Sequence, residues 1–262
     1  MFSTGDAYER FMGRWSRRLA DAFVRFAGVQ AGDLVLDAGA GTGALASAVL
    51  AAANSTRVVG IDPSSAYVEA ARRGIADPRA TFEQGDVMQL RFKDAAFDKS
   101  LSLLVLNFVG DPAEALRQMI RVTRPGGVVA AAVWDYGAGM EMLRFFWDEA
   151  VALDSAADAR DERHMPLSRP GQLETLWRQG GVTAIAESPL IVPLAFPSFD
   201  DFWSPFLGGQ GPAGAYVTSL AEEQRAALRD RLRERLRADA DESVTLRGRA
   251  WAVRGTAGAA GR

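Results

Sequence analysis

From Asp33 onward the chain alternates short β-branched runs with amphipathic stretches, and few architectures accommodate this alternation. The runs predict strands at Leu34–Asp37, Val58–Asp62, Ala80–Gly85, Lys99–Leu103 and Val128–Trp134. The stretches between them predict helices at Ala44–Ala53, Ser65–Ile75 and Ala113–Val122. Strands and helices that alternate in this way wind into a parallel sheet with helices on both faces. The sequence therefore predicts a doubly wound α/β fold.

The second half of the chain follows this pattern less regularly. Further elements are expected as helices at Met140–Leu153, Ser168–Arg178 and Glu222–Arg237, and as strands at Val182–Val192 and Val244–Val253, before a frayed tail at Gly255–Arg262. Aromatic residues crowd one segment between these elements, at Phe196, Phe199, Phe202, Trp203 and Phe206. That segment does not resemble core scaffold.

Composition limits the classes of partner. The 262 residues, 48% of them apolar, are enough to bury one large core, and we expect a single domain over residues 1–262. No run approaches the roughly 18 apolar residues of a membrane span, and no signal peptide is evident, so we expect a cytoplasmic protein with no membrane span. Cysteine is absent, which excludes thiolate zinc sites and cysteine nucleophiles. A net charge of -3 provides no field for gathering phosphate backbones, so we expect a small-molecule partner and no nucleic acid.

A glycine-rich turn follows the first predicted strand. The segment Val35–Gly43 reads VLDAGAGTG, in which Gly39 and Gly41 let a ligand approach the backbone closely. Glycine turns of this kind also begin dinucleotide-binding folds, and Gly39, Gly41 and Ala44 satisfy the G-x-G-x-x-A pattern. The turn predicts a ligand site but leaves the ligand open.

Three acidic residues end three successive strands. Asp62 ends the second strand, where its carboxylate can accept both hydroxyl protons of a ribose, and Asp86 follows the third, where it can accept a proton from an adenine amino group. A carboxylate beside a diphosphate is unfavourable, whereas Asp37 suits the ammonium of a methionine moiety. Ligands of doubly wound sheets bind outside the carboxyl ends of the strands. These residues favour a cationic cofactor that contains adenosine and lacks phosphate.

At these positions the sequence resembles the class I S-adenosylmethionine-dependent methyltransferases, particularly the group that includes the ubiquinone and menaquinone C-methyltransferases. The resembling blocks are Val35–Gly43, Val59–Pro63, Glu83–Val87, Phe97–Val109 and Arg121–Trp134, which together cover about the first half of the chain. The resemblance implies a Rossmann-like sheet of seven mostly parallel strands with an antiparallel last strand. It also implies S-adenosyl-L-methionine as cofactor and transferase activity on a small acceptor.

The resemblance assigns roles to individual residues. Around the cofactor it implies Gly39 and Gly41 as the turn beneath it, Asp37 toward methionine, Asp62 with Pro63 at the ribose, Asp86 and Val87 at the adenine, and Leu103 as a backbone contact to methionine. The amino-terminal segment resembles one that closes over the cofactor in many relatives. There Tyr8 and Trp15 would face the sulfonium or the substrate, and Arg14 would meet the methionine carboxylate. Simple packing of an amino-terminal helix remains an alternative for Tyr8 and Trp15.

Three segments are expected to surround the sheet as additions. Residues 1–30 would form an amino-terminal cap helix, and residues 139–164 and 193–237 would form lid insertions after strands five and six. The aromatic residues of the second insertion suggest an acceptor with apolar or ring character. Two alternatives for the same residues are an ordinary core beneath the insertion and a homodimer surface.

No catalytic residue and no metal ligand set can be named from the sequence. His164 lies in a charged loop, where a solvated histidine is the usual finding, and the role of Asn107 is open. A sulfonium is already an activated leaving group, so methyl transfer requires alignment rather than a protein nucleophile. Two other functions remain as alternatives: an NAD(P)-dependent oxidoreductase, and a catalytically silent S-adenosylmethionine-binding protein.

Overall fold

The computed structural model describes residues 12–236 and 243–258. A seven-stranded sheet contains the strands β1 (Leu34–Ala38), β2 (Arg57–Asp62), β3 (Ala80–Gln84), β4 (Phe97–Leu103), β5 (Thr123–Trp134), β6 (Thr183–Phe196) and β7 (Val244–Thr256). Their order across the sheet is β3-β2-β1-β4-β5-β7-β6. The chain therefore builds the sheet outward from β1 in one direction and then, from β4, in the other.

The helices are α1 (Arg14–Ala27), α2 (Ala44–Ala52), α3 (Ser65–Gly74), α4 (Pro112–Val122), α5 (Glu141–Leu153), α6 (Gln172–Gln179), α7 (Phe199–Trp203), α8 (Gly211–Ser219) and α9 (Glu222–Leu236). Two of them begin at polar caps that the sequence shows directly. The Ser64 hydroxyl accepts from the Tyr67 amide before α3, and the Asp111 carboxylate accepts from the Ala113 amide before α4. None of the helices in residues 12–236 is long and apolar enough to cross a membrane.

The central strands are parallel and in register. Asp37 of β1 pairs with Gly60 of β2 on one side and with Leu101 of β4 on the other. On the outer side of β2, Asp62 pairs with Gln84 of β3. Because these strands point the same way, the residues that follow them emerge at one edge of the sheet. The direction of winding reverses between β1 and β4, which is where doubly wound sheets bind ligands.

The last strand is antiparallel. The Gly126 amide donates to the Ala257 carbonyl at 3.0 Å, and the Ala257 amide donates to the Gly127 carbonyl at 2.9 Å, so the start of β5 lies beside the end of β7. β5 begins at Thr123, five residues before the predicted start, because Thr123 already pairs with Phe97 of β4. The predicted fold class is confirmed, including the antiparallel last strand. The predicted frayed tail is wrong at Gly255 and Thr256, which belong to β7.

The chain forms two compact units. The sheet unit comprises the described residues of Ser16–Val133, Pro166–Leu190 and Ala250–Arg262, and the insertion unit comprises those of Met1–Trp15, Trp134–Met165 and Ile191–Arg249. The ranges of the insertion unit include both predicted lid insertions. The predicted single domain over residues 1–262 and the predicted lid roles of 139–164 and 193–237 stay predictions.

The sheet unit is held by apolar strands and by polar contacts at its amino-terminal edge. Val35, Leu36 and Leu101 are completely buried, as parallel strands covered on both faces require. At the opposite edge from the acidic residues, Lys99 lies 3.4 Å from Asp33, and the Leu34 amide donates to the Asp98 carboxylate at 2.8 Å. These contacts fix the starts of β1 and β4 beside each other.

The insertion unit has an aromatic core. The Phe146 and Phe206 rings stack with centroids 4.6 Å apart, and Phe202 contacts both Phe206 and Phe196. Every ring of the predicted aromatic cluster is buried, which the alternative of an ordinary core requires. In α9, Leu228 and Leu232 are buried.

Candidate functional site

The glycine turn after β1 is held by the end of β2. The Gly39 and Ala40 amides both donate to the Ile61 carbonyl, at 2.9 and 2.8 Å. Gly39 has a φ of +88°, and a Cβ at this position would overlap the Val105 side chain. Glycine is therefore required at position 39 for two reasons: its backbone is left-handed, and the turn after β4 lies directly against it.

Asp62 closes the same turn with its side chain. One carboxylate oxygen accepts from the Gly41 amide and the other from the Ser64 amide, each at 2.9 Å. Burial raises the pKa of Asp62, and these two amide bonds oppose the rise. The Gly43 amide donates to the Ala40 carbonyl. The backbone donors at positions 39, 40, 41 and 43 are thus already used within the protein, so they do not form the open amide cradle that binds a diphosphate.

Asp37 is buried and unpaired on β1. Its side chain is 1% exposed, and neither carboxylate oxygen has a hydrogen-bond partner within residues 12–236 and 243–258. Burial raises the pKa of Asp37 to about 7, and the charge of Asp62 adds to the rise. The nearby Ala46 amide offsets part of this rise in the pKa of Asp37, although it does not form a hydrogen bond to the carboxylate. A buried carboxylate without a donor is suited to a cationic ligand and unsuited to a phosphate.

The end of β3 brings Asp86 to the same edge. The Gly85 amide donates to the Asp62 carbonyl at 3.1 Å, which holds the start of the Gly85–Val87 segment against the end of β2. Asp86 is exposed and accepts from the Met88 amide at 2.8 Å, while Val87 is buried. Pro63 is exposed, and its carbonyl accepts from the Gln84 side chain. Asp37, Asp62 and Asp86 therefore lie at one edge of three adjacent strands; their roles toward a cofactor stay predictions.

The turn after β4 contains features that the sequence did not reveal. Leu103 pairs with Ala132 as predicted for a strand end, but the next residue, Leu104, has a φ of +63°. This left-handed backbone is strained for leucine, and the Leu104 amide is held by the Ala132 carbonyl at 2.8 Å. Asn107 follows in a 3-10 helix and is 4% exposed. No pattern of residue types predicts a left-handed leucine, so sequence reasoning had no signal for this turn.

The predicted amino-terminal contacts lie in the insertion unit. Arg14 forms an ion pair with Asp201 at 2.7 Å, and its guanidinium lies 4.9 Å from the Phe196 ring centroid. Trp15 is 1% exposed and makes an edge contact with Phe196 at 5.2 Å. Tyr8 lies outside the described residues. The contacts of Trp15 match the packing alternative, and the roles of Arg14 and Trp15 toward a cofactor stay predictions.

Away from this edge, the titratable side chains of residues 12–236 and 243–258 are exposed or paired within the protein. The His164 side chain is 58% exposed, and its Nε2 atom lies 3.7 Å from the Asp158 carboxylate. Within the same residues no group of three or more histidines or carboxylates could hold a metal ion. In the insertion unit, Arg144 and Asp161 form a buried ion pair, and Glu162 accepts from the Trp147 indole at 2.7 Å. Burial raises the pKa of Glu162 to about 7.

Comparison with known proteins finds relatives of part of the sheet region. Residues 35–127 match the family described as a methyltransferase domain. A ubiquinone/menaquinone biosynthesis C-methyltransferase from Bdellovibrio bacteriovorus is 41% identical over 121 residues, which are 44% of this chain and 48% of the relative. A 27-O-demethylrifamycin SV methyltransferase from Amycolatopsis mediterranei is 38% identical over 117 residues, 43% of each chain. The chain thus spans about half the length of the curated relatives it matches.

The structural similarity covers more of the chain than the sequence similarity does. The YcgJ protein from Bacillus subtilis superposes with a TM-score of 0.60 over 95% of this chain and 100% of that protein, at 19% identity. Residues 35–127 are thus similar in sequence to methyltransferase domains, and the chain shares its fold with that structure. The matched region is similar to that of a ubiquinone/menaquinone biosynthesis C-methyltransferase, and the resemblance drawn from the motifs is confirmed.

Proposed function

We propose that the protein binds S-adenosylmethionine at the carboxyl edge of β1 to β4 and transfers its methyl group to a small, partly apolar acceptor by in-line displacement. One arrangement carries this proposal: Asp37, Asp62 and Asp86 follow or end three adjacent strands around a glycine turn whose amides are already bonded. A ligand at this edge meets carboxylates rather than free amide donors.

The side chains at this edge fit the chemistry of S-adenosylmethionine. Asp62 keeps free lone pairs beside its two amide bonds and would accept from the ribose hydroxyls, while Asp86 and Val87 would border the adenine. Asp37, buried and without a donor among the described residues, would accept from the methionine ammonium. The backbone of Leu103 would approach the methionine portion from β4. Each of these groups binds or orients, and none needs to react.

The bound donor supplies an activated methyl group whose leaving group is a neutral thioether. The protein's task is alignment of the acceptor with the methyl carbon, and positioning of this kind contributes about 7–11 kcal/mol. A general base adds roughly 10²- to 10⁴-fold where the acceptor must lose a proton. The lack of an obvious base among the described residues is therefore compatible with activity.

The acceptor class draws its support from the relatives. Their names specify quinone biosynthesis in one case and a demethylated rifamycin SV in another, so both methylate organic compounds rather than nucleic acid or protein. The aromatic cluster of the insertion unit is buried in its own core and gives no separate support. We therefore infer a small organic acceptor with substantial apolar surface.

Calorimetric titration tests the cofactor. S-adenosylhomocysteine, the demethylated product of the donor, should bind near micromolar affinity, equivalent to about -8 kcal/mol, and NADH and NADPH should not bind. Binding of a nicotinamide dinucleotide without binding of S-adenosylhomocysteine would establish the oxidoreductase alternative instead. The used amides at positions 39–41 and the unpaired Asp37 argue against that alternative.

An Asp62→Ala variant tests the site. Loss of a charged acceptor should weaken S-adenosylhomocysteine binding by about 1.5–3 kcal/mol, or roughly 10- to 150-fold. Asp111→Ala is the matched control, because Asp111 also accepts from two backbone amides but caps α4. The control should bind with wild-type affinity. Equal affinity of the folded Asp62→Ala variant and the wild type would contradict the assignment.

Turnover separates an enzyme from a silent binding protein. Release of S-adenosylhomocysteine from S-adenosylmethionine should depend on an added acceptor from a panel of demethylated quinols, phenols and small amines. Cofactor binding without acceptor-dependent release across the panel would favour the silent alternative.

A further inference from the structure

Two buried polar side chains border the place where the sheet reverses its winding. Asp37 lies on β1 and Asn107 lies in the turn after β4, the two strands between which the winding reverses. Asn107 is 4% exposed, and neither its Oδ1 nor its Nδ2 atom has a hydrogen-bond partner within residues 12–236 and 243–258. Both polar side chains thus lie at the expected ligand crevice with unused hydrogen-bonding capacity.

The turn that carries Asn107 is strained and held in place. Leu104 adopts a left-handed φ of +63°, and its amide donates to the Ala132 carbonyl. The following Val105 lies against Gly39, and the 3-10 helix Leu106–Phe108 then buries the Asn107 side chain. Strained residues of this kind persist where the surrounding structure imposes them, and they cluster at binding sites. The fold thereby keeps a costly backbone conformation next to the glycine turn.

An unpaired amide in a protein interior is unfavourable. Leaving a buried donor or acceptor without a partner costs about 1–3 kcal/mol, a cost that a leucine of similar size would avoid. A ligand that pairs with the amide removes this cost in the bound state. The pattern at Asn107 therefore favours a polar ligand group over a purely structural role.

The chemistry of the two side chains defines the ligand group. An ionised Asp37 only accepts hydrogen bonds, whereas Asn107 offers the two N–H donors of Nδ2 and the acceptor Oδ1. Together they complement a group that carries a cation and an anion on one carbon, as the α-amino acid end of S-adenosylmethionine does. An ammonium suits Asp37, and a carboxylate suits the Nδ2 donors.

We propose that Asn107 binds the amino-acid end of the cofactor by donating from Nδ2 to its carboxylate, opposite Asp37. This assignment rests on the proposed function, because it takes S-adenosylmethionine as the ligand. It gives the turn after β4 a side-chain contact in addition to the backbone of Leu103, and it assigns to Asn107 the carboxylate contact that the resemblance implies for Arg14.

Two probes that differ only at the amino-acid end test the proposal. S-adenosylhomocysteine carries the amino-acid group, and 5′-methylthioadenosine lacks it while keeping adenine, ribose and sulfur. By calorimetry, Asn107→Ala should weaken S-adenosylhomocysteine binding about tenfold or more and leave 5′-methylthioadenosine binding within twofold of wild type. Asn107→Leu, of similar size, should give the same result and serves if the alanine variant does not fold.

A control variant and the two probes together distinguish failure of the Asn107 assignment from failure of the proposed function. Asn54→Ala changes the other asparagine of the chain, which is exposed before β2, and should alter neither affinity. Unchanged binding of S-adenosylhomocysteine in Asn107→Leu, or an equal loss for both probes, would overturn the proposal. Failure of the wild type to bind either probe would instead refute the proposed function.

Discussion

Replacing Asp37 by Asn should stabilise the cofactor-free protein at neutral and alkaline pH. The two side chains have nearly the same size, and both leave a polar group buried, so the substitution removes mainly the negative charge. In the wild type that charge is held at 1% exposure without a hydrogen-bond donor in the described residues. A buried, unpaired carboxylate destabilises the folded protein as long as no cation pairs with it.

The size of the effect follows from the pKa. The pKa of Asp37 is raised from 3.8 to about 7, and at about 1.4 kcal/mol per pH unit this corresponds to roughly 4 kcal/mol. Because the folded pKa is the higher one, the unfolded chain releases its proton first as pH rises. Wild-type stability should therefore fall, relative to Asp37→Asn, between about pH 4 and pH 7, and the difference should stay constant above pH 8. Near pH 4 the two proteins should be almost equally stable.

Urea unfolding followed by far-ultraviolet circular dichroism at pH 5, 6, 7 and 8 measures this difference. Asp86→Asn is the control, because it removes a carboxylate from the same edge at an exposed position and should show no comparable rise. A constant difference between wild type and Asp37→Asn over pH 5–8 would refute the reasoning, as would a variant less stable than wild type at pH 8.

Two further substitutions test the turn and the insertion unit. Gly39→Ala should destabilise the protein by about 1–3 kcal/mol in urea unfolding, because φ at Gly39 is +88° and the added Cβ would overlap Val105. Gly41→Ala is the control: φ at Gly41 is also left-handed, but a Cβ there meets open space, so this variant should lose less stability. Equal losses in the two variants would exclude the overlap as the cause. Glu162→Gln should keep the hydrogen-bond acceptor for the Trp147 indole and raise the free energy of unfolding at pH 8 by about 3 kcal/mol, since the pKa of Glu162 is raised from 4.5 to about 7. This added stability should disappear as the pH falls toward 4.5. Added stability that does not depend on pH would show that it does not come from the charge of Glu162.

The alternation of strands and helices made the sheet predictable, because local patterns determine each element and parallel strands then share an edge. Asp62 and Asp86 were expected at that edge, and the pairing of Asp62 with Gln84 puts them there. What the pattern could not provide is the bond from the Gly41 amide to the Asp62 carboxylate. That bond depends on the register of two strands and on the path of the turn, neither of which is a local property.

Other features were missed because they depend on contacts distant in sequence. The sequence predicts that β5 begins at Val128, yet Thr123 already pairs with Phe97 of β4, and the end of β7 pairs with Gly126 and Gly127. The aromatic segment around Phe202 was thought unlike core scaffold, and it packs as the core of the insertion unit. The left-handed Leu104 and the buried Asn107 lie in a turn whose Val105 contacts Gly39, a residue distant in sequence.

A crystal structure of the protein with S-adenosylhomocysteine tests the central claim most directly. The ribose hydroxyls should lie within hydrogen-bonding distance of the Asp62 carboxylate, with the adenine beside Asp86 and Val87 at the edge of β3. An ordered ligand bound without contact to Asp62 or Asp86 would contradict the proposed site.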